Sequence, residues 1–314
     1  MSIDYRNFLF RQGLIETRRR RICSVEGCGE YASNNHCVSR SLLKGFANNN
    51  HLFELYLEPF PIPDIGLKSI GIEKCTIFKD LCPRHDNFFY KDIDKKDYDI
   101  NSYSNIVALN HRALRNEYYR KSVTLGTHQN TLKSRADINL GARMLKDSLA
   151  TLPFNFKSIN WYMERINAEL AEERGEFLFK VFNYPYFEVA ATELFTFEPN
   201  PYAKRELYRI TGCFVPFSEI FVHIVPRKEV KTTYVVISCH EKDKFLFEDY
   251  IRKYVDGNLA KPLSDILTIQ AEKWVCSKSF KAEFIDEKID FLDVFKVEMP
   301  MNIFDRCTEI NIFK

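Results

Sequence analysis

Along the first third of the chain, apolar residues come in short bursts broken by turn residues. Ser39-Arg-Ser-Leu-Leu-Lys-Gly-Phe-Ala has the spacing of a short helix that ends at Asn48-Asn-Asn. His51-Leu-Phe-Glu-Leu-Tyr-Leu alternates as a strand does, and Pro59, Pro61 and Pro63 close it. Gly71-Ile-Glu-Lys-Cys-Thr-Ile-Phe leads to Leu81-Cys82-Pro83, where proline fits the first turn of a helix carrying Arg84, His85, Asp86, Phe88 and Phe89. Longer helical patterns run from Ile106 to about Lys121, then near 139–150 and 158–172.

From about residue 176 the pattern changes. Gly175-Glu-Phe-Leu-Phe-Lys-Val-Phe, the run from Tyr186 to Phe197, Glu219-Ile-Phe-Val-His-Ile-Val and Thr232-Thr-Tyr-Val-Val-Ile-Ser are rich in β-branched and aromatic residues. They predict antiparallel strands of one sheet, with helices near 243–254 and 260–275 covering one face. There is no internal repeat and no low-complexity segment. The expectation is an α+β protein in two parts: residues 1–125, a compact Cys/His-rich module with a basic N-terminal arm, and residues 126–314, a mixed antiparallel-sheet and helix domain.

Charge sharpens this division. The 314 residues hold 45 Lys+Arg against 43 Asp+Glu, a net of only +2, which excludes a uniformly basic nucleic-acid coat. Residues 1–150 carry 23 basic and 17 acidic side chains, whereas residues 151–314 carry 22 and 26. Five of the nine cysteines (Cys23, Cys28, Cys37, Cys75 and Cys82) and five of the seven histidines precede residue 130. Cys213, Cys239, Cys276 and Cys307 stand apart and read as ordinary core thiols. The first residues include Asp4 and Arg6 and no long apolar run, so no signal peptide is expected. The most apolar stretch, Cys213 to Pro226, is broken by Glu219 and His223 and is too short to span a bilayer. A soluble, cytoplasmic protein with no membrane partner is expected, and in that compartment clustered cysteines favour metal over disulfides.

The chemistry-bearing motifs are Cys23-Ser-Val-Glu-Gly-Cys28, Asn34-Asn35-His36-Cys-Val-Ser-Arg40 and Leu81-Cys82-Pro-Arg-His85-Asp86. Two thiols on a tight loop and a C-x-x-H pair at a helix start can close a tetrahedral zinc site, here Cys23, Cys28, Cys82 and His85. Cys75 competes for a place, and a set of Cys23, Cys28, Cys75 and Cys82 would free His85. Buried thiols beside a hydrogen-bonded histidine are the plainer alternative.

These motifs, in this order over roughly residues 20–95, resemble the HNH or His-Me finger nucleases, more narrowly uncharacterised bacterial proteins with an HNH-like module. The resemblance implies a zinc-stabilised ββα-metal fold for the N-terminal module and hydrolysis of nucleic-acid phosphodiesters, DNA foremost. It implies that His36 is the general base that activates water. It also implies that Asp86 holds a catalytic Mg²⁺ or Mn²⁺, with Asn35 where many members have a second, aspartate ligand. The central asparagine of the family name has no counterpart: Thr76-Ile77 stands at its position, and the Thr76 hydroxyl is then the candidate for orienting His36. By family analogy such a protein would be the effector of a bacterial defence or toxin system.

Arg18-Arg19-Arg20-Arg21 directly precedes the first thiol, and Arg40 lies four residues past His36; both are candidates for phosphate contacts. Arg11 lies on the same arm, and His111, Arg112, Arg115 and Arg120 on the 106–121 helix could extend the groove. No aromatic interleaving suggests a single-strand stacking platform, so a duplex or structured substrate is the expectation. Glu229-Val-Lys231 has the E-x-K spacing of another nuclease class but no partner aspartate, and reads as chance. The acidic second half is expected to bind a partner protein or regulatory ligand. The rival expectations are a non-catalytic zinc-dependent module that binds nucleic acid or protein, and a purely structural zinc knuckle.

Overall fold

The structure, a computed structural model, describes residues 3–58, 64–134, 139–196, 201–252, 259–271, 273–286 and 311–313. It is mixed α and β. The first part holds α1 (Ile3–Arg18), β1 (Asn35–His36), α2 (Arg40–Lys44), a hairpin of β2 (His51–Glu58) and β3 (Asp64–Gly71), β4 (Ile77–Phe78) and α3 (Pro83–Tyr90). Two long helices follow, α4 (Tyr103–Ser134) and α5 (Asn139–Glu172). Then come β5 (Phe177–Pro185), β6 (Val189–Thr196), α6 (Pro201–Thr211), β7 (Glu219–Arg227), β8 (Thr232–His240), α7 (Lys244–Tyr250), α8 (Ala260–Asp265), β9 (Trp274–Cys276) and α9 (Lys278–Phe280). Of the four isolated cysteines expected in the core, Cys239 and Cys276 are buried, Cys213 is exposed in the segment after α6, and Cys307 lies outside the described residues.

The aromatic and β-branched segments past residue 176 form β5 to β8 as their composition predicts. They join a seven-stranded sheet of order β3-β2-β9-β6-β7-β8-β5, every pairing antiparallel. The expected helix over 260–275 stops early. Trp274-Val275-Cys276 instead forms β9, the strand between β2 and β6. Its register, Phe53 with Cys276 and Val189 with Cys276, bridges segments far apart in the chain, so no local pattern announces it. The boundary expected after residue 125 falls within α4, and the sheet takes two strands from one side of it and five from the other. The patterns near 139–150 and 158–172 merge into α5, with Pro153 inside it.

Both sheet faces are buried, which explains why β7 and β8 read as nearly continuous apolar runs. On one face Ile220, Val222, Ile224, Val235 and Ile237 pack with Phe247, Leu263, Ile266 and Trp274. On the other, Ala190, Val225, Val236 and Val275 meet Leu42, Leu43, Ile106 and Leu109, while Phe177 and Phe221 meet Val107, Leu114, Ile159 and Tyr162. Helices therefore cover both faces, where the sequence pattern predicts them on one.

The interface between α4 and the sheet also holds acids. Glu193 on β6 is buried and its Oε2 lies 3.4 Å from Arg120 Nη1, while its Oε1 has no hydrogen-bond partner. Glu219 on β7 accepts from Thr196 Oγ1 at 3.1 Å. Burial pushes Glu193 up to about 7, against the opposing pull of Arg120, and Glu219 up to about 8, with Glu117 adding to the rise. In the unfolded chain both ionise near 4.5. The folded state therefore binds more protons than the unfolded state between these values. Through these two acids stability should fall as pH rises from about 4.5 to about 8. His111 and His223, kept neutral by burial, act in the opposite sense below 6.5, so the net decline should show from about 6.5 to about 8. Denaturant midpoints across this range should show the decline, and Glu219→Gln should flatten it. Trp274 is fully buried and donates from Nε1 to Leu267 O at 2.7 Å, so Trp274→Ala should cost about 3–5 kcal/mol in the same measurement.

Candidate metal centre and the site beside it

The loop that carries Cys23 and Cys28 is closed by its own backbone. Cys23 N donates to Glu30 O at 2.8 Å, Cys28 N to Val25 O at 3.0 Å, and Ile22 bridges Tyr31. Gly27 takes φ +73°, a left-handed turn that suits glycine. On the other side Cys82 caps α3, Pro83 occupies its first turn, and His85 follows on the same turn. The result is a cluster in which the ligand atoms of Cys23, Cys28, Cys82 and His85 all lie within 4.8 Å of one another. Cys23 Sγ and Cys82 Sγ stand 3.3 and 3.4 Å from His85 Nδ1, and Cys28 Sγ stands 4.0 Å from Cys82 Sγ. Tetrahedral coordination with ordinary zinc–sulfur and zinc–nitrogen bonds sets such edges at about 3.8 Å and about 3.6 Å. The cluster could hold a metal such as zinc. A backbone hydrogen bond from Glu30 holds the Cys28 thiol below its ordinary range, whereas burial pushes the Cys82 thiol up to about 11.

Cys75 is not part of this cluster. It is fully buried in the core beneath, and burial together with Glu54 raises its thiol far above the usual range. Cys37 likewise donates to Thr192 O at 3.1 Å and is pushed up to about 12 by burial. Of the two ligand sets that spacing allows, the geometry brings together the one with His85.

Beside the cluster, β1 and β4 form a two-stranded antiparallel pair, His36 opposite Ile77, and α3 follows β4. His36 is half-buried. Its Nε2 lies 3.2 Å from Ile72 O, a partner that can only accept, so Nε2 carries the proton and Nδ1 keeps its lone pair. Burial lowers its pKa, opposed by the Ile72 hydrogen bond; Arg40 lowers it further and Glu73 raises it. Asp86 is partly buried, and its Oδ1 has no hydrogen-bond partner. Burial raises the Asp86 carboxyl, and Arg112 opposes that rise more strongly than the Asn35 amide does. His36 and Asp86 thus share a neighbour in Arg112.

Several candidates have other roles. Asn35 is buried, and its Oδ1 accepts from the backbone N–H groups of Asp80 and Leu81 at 3.1 and 2.9 Å. Both lone pairs are spent, so it braces the turn into Cys82 and has none left to bind a cation. Thr76 does not orient His36. Its hydroxyl accepts from Val38 N at 3.5 Å, and its φ of +52° is rare for a buried β-branched residue. Glu54 accepts from Thr76 N at 2.6 Å, and Lys273 donates to Ile77 O at 3.2 Å, which fixes this segment from two sides.

Arg112 and Arg115 are buried, so neither can face a nucleic acid. Arg112 is 2% exposed, stacks 4.1 Å over the Tyr90 ring and donates to Asp94 Oδ1 at 2.8 Å. Arg115 donates to Ser24 Oγ at 2.6 Å, to Asp80 Oδ2 at 3.3 Å and, through Nε, to His111 Nε2 at 3.1 Å. His111 accepts there and so donates from Nδ1 to Tyr90 Oη at 3.1 Å; burial and the two arginines keep it neutral. Arg40 is exposed and pairs with Glu73. Arg18, Arg19 and Arg20 are exposed, as is Arg11, whereas Arg21 is half-buried. Arg19 and Arg21 lie 3.7 and 4.0 Å from buried Glu16, which accepts from Asn130 Nδ2 at 2.8 Å. This anchors α1 on α4 at Gly126, where a Cβ would come within 2.5 Å of the Glu16 side chain. Glu229 pairs with Lys96 beside a cavity of about 350 Å³, which the E-x-K spacing does not explain.

No family model, curated protein or solved structure matches the chain. Its chemistry rests on the residues themselves. Asp80, Asp94 and Glu54 were beyond sequence reasoning, because Asp94 sits in a run of acids that reads as a solvated turn and Glu54 in an ordinary strand. Among the described residues no helix is long and apolar enough to cross a membrane.

Elemental analysis should find bound metal in the purified chain and in Cys75→Ser. His85→Ala and Cys28→Ser should lose it, with a fall in thermal midpoint that a chelator reproduces in the parent protein.

Proposed function

We propose that the chain hydrolyses nucleic-acid phosphodiesters, DNA foremost, as a metal-dependent nuclease of the HNH, or ββα-metal, type. Zinc in the Cys23, Cys28, Cys82 and His85 cluster would be structural, because four protein ligands close the coordination shell. The observation that carries the reading is His36. Its ring is held at Nε2 by the Ile72 carbonyl and keeps a lone pair at Nδ1, on the strand paired with the one that leads into α3.

Nδ1 of His36 is suited to take the proton from an attacking water, and a lowered pKa keeps the imidazole neutral for that task at physiological pH. Arg40, released from Glu73, is suited to a phosphate oxygen. Asp86 fits a divalent cation through its unpartnered Oδ1. Bound there, Mg²⁺ or Mn²⁺ would offset charge on the phosphate and the leaving oxygen. Arg112, buried beside Asp86, opposes the rise that burial gives this carboxyl.

A second reading, a non-catalytic zinc-dependent binding module, draws support from two observations. Asn35 has no lone pair left for a cation, and Arg112 already supplies positive charge beside Asp86.

Digestion of plasmid and RNA with Mg²⁺ or Mn²⁺ decides between them. Cleavage should occur, and His36→Ala should slow it about 100-fold or more while retaining its zinc. Because burial lowers the His36 pKa, the rate should decline only as pH drops below the ordinary 6.5. Cleavage undiminished in His36→Ala removes the active-site assignment, and a zinc-bound protein inert with every cation favours the second reading.

A further inference from the structure

The outer face of the metal-site loop carries a grouping that the linear order hides. Tyr31 and Phe88 are large rings left 54% and 70% exposed, and Ile22, bridged to Tyr31, is 62% exposed. Arg20 lies flat over Tyr31, its guanidinium carbon 3.9 Å from the ring centroid. Glu30, the residue before Tyr31, pairs with Arg84 at 3.8 Å, and Arg84 also donates to Cys28 Sγ at 3.9 Å. Arg84 precedes Phe88 by one turn of α3, so the two project from the same side of that helix. The Glu30–Arg84 pair thus joins Arg20 and Tyr31 on the loop to Arg84 and Phe88 on α3, so the strip draws two guanidinium groups and two exposed rings from segments far apart in the chain.

Exposed rings gain nothing from water, and these two are fixed on a braced loop and on the last turn of α3 rather than on a loose tail. Arg18, Arg19 and Arg20 stand exposed just before the loop; Arg19 lies 3.7 Å from buried Glu16, and the exposed acids of the loop are Glu26 and Glu30, the latter paired with Arg84. A surface of this charge fits a polyanion better than an apolar protein face. A paired duplex presents phosphates and leaves the rings idle, whereas an unpaired strand presents both phosphates and base faces. We infer that this strip is a stacking platform for unpaired nucleobases, with Tyr31 and Phe88 taking bases and Arg20 and Arg84 the adjoining phosphates. The inference rests on the nucleic-acid reading above and narrows its substrate to single-stranded or locally unpaired strands.

The test is fluorescence anisotropy of the full, metal-loaded chain with a labelled single strand and with its duplex, in buffer lacking both Mg²⁺ and chelator. The single strand should bind more tightly. Tyr31→Ala and Phe88→Ala should each weaken it about 10-fold and leave duplex binding unchanged, while Tyr31→Phe should retain it. Metal content and circular dichroism confirm that each variant is folded. Equal losses on both substrates, or no loss on either, overturn the platform. Failure of the parent chain to bind a single strand overturns it too. Ring-dependent binding without cleavage in any cation keeps the platform and removes the nuclease reading. Cleavage that needs His36 but is indifferent to both rings does the reverse.

Discussion

A guanidinium buried under the metal-site loop ties the molecule together. Arg115 has almost no access to water, so its charge must be met inside the protein, and Asp80 and Ser24 meet it. Ser24 belongs to the thiol-bearing loop, Asp80 to the turn before α3, and Arg115 to α4. Removing one member of such a buried set leaves the others uncompensated, at about 3–5 kcal/mol. The same helix presents Arg112 to Asp86 and Asp94, and its apolar side packs on the sheet. The cluster geometry, the surroundings of Asp86 and the seating of α4 on β6 are therefore parts of one arrangement.

What could be read in the sequence was what depends on neighbours in the chain. Paired ligand spacing located the four metal-site residues because C-x-x-H at a helix start puts both groups on one turn whatever the rest of the fold does. Strands β5 to β8 declared themselves by composition. Charge misled, because an arginine looks the same in sequence whether it faces solvent or an internal carboxylate; Arg112 and Arg115 were read as surface and lie inside. Asn35 was misassigned for the same reason, since its two backbone partners lie 45 and 46 residues away. Strand β9 and the exposed pairing of Arg20 with Tyr31 likewise need long-range contact to exist at all.

Thr76 shows how the larger sheet bears on the smaller strand pair. A left-handed β-branched residue costs of order 1–3 kcal/mol and persists only where its surroundings over-determine it. Here Glu54 on β2 takes its N–H, and Lys273, just before β9, takes the carbonyl of the next residue while lying 3.7 Å from Glu54. Ile77 is the residue opposite His36. The placement of that histidine is thus secured from residue 54 on β2 and residue 273 at the entry to the neighbouring β9, in a sheet to which β1 and β4 do not belong.

The position of β9 also sets an order of events during synthesis. All four thiol and imidazole groups have been made by residue 85, so the metal loop can close early on a growing chain. The hairpin of β2 and β3 is made by residue 71, but the partner for the open edge of β2 is not complete until residue 276. Until then that hairpin presents an unpaired edge, a template for wrong pairing with another chain. Completion of β9, rather than metal loading, is the step after which the sheet can become whole.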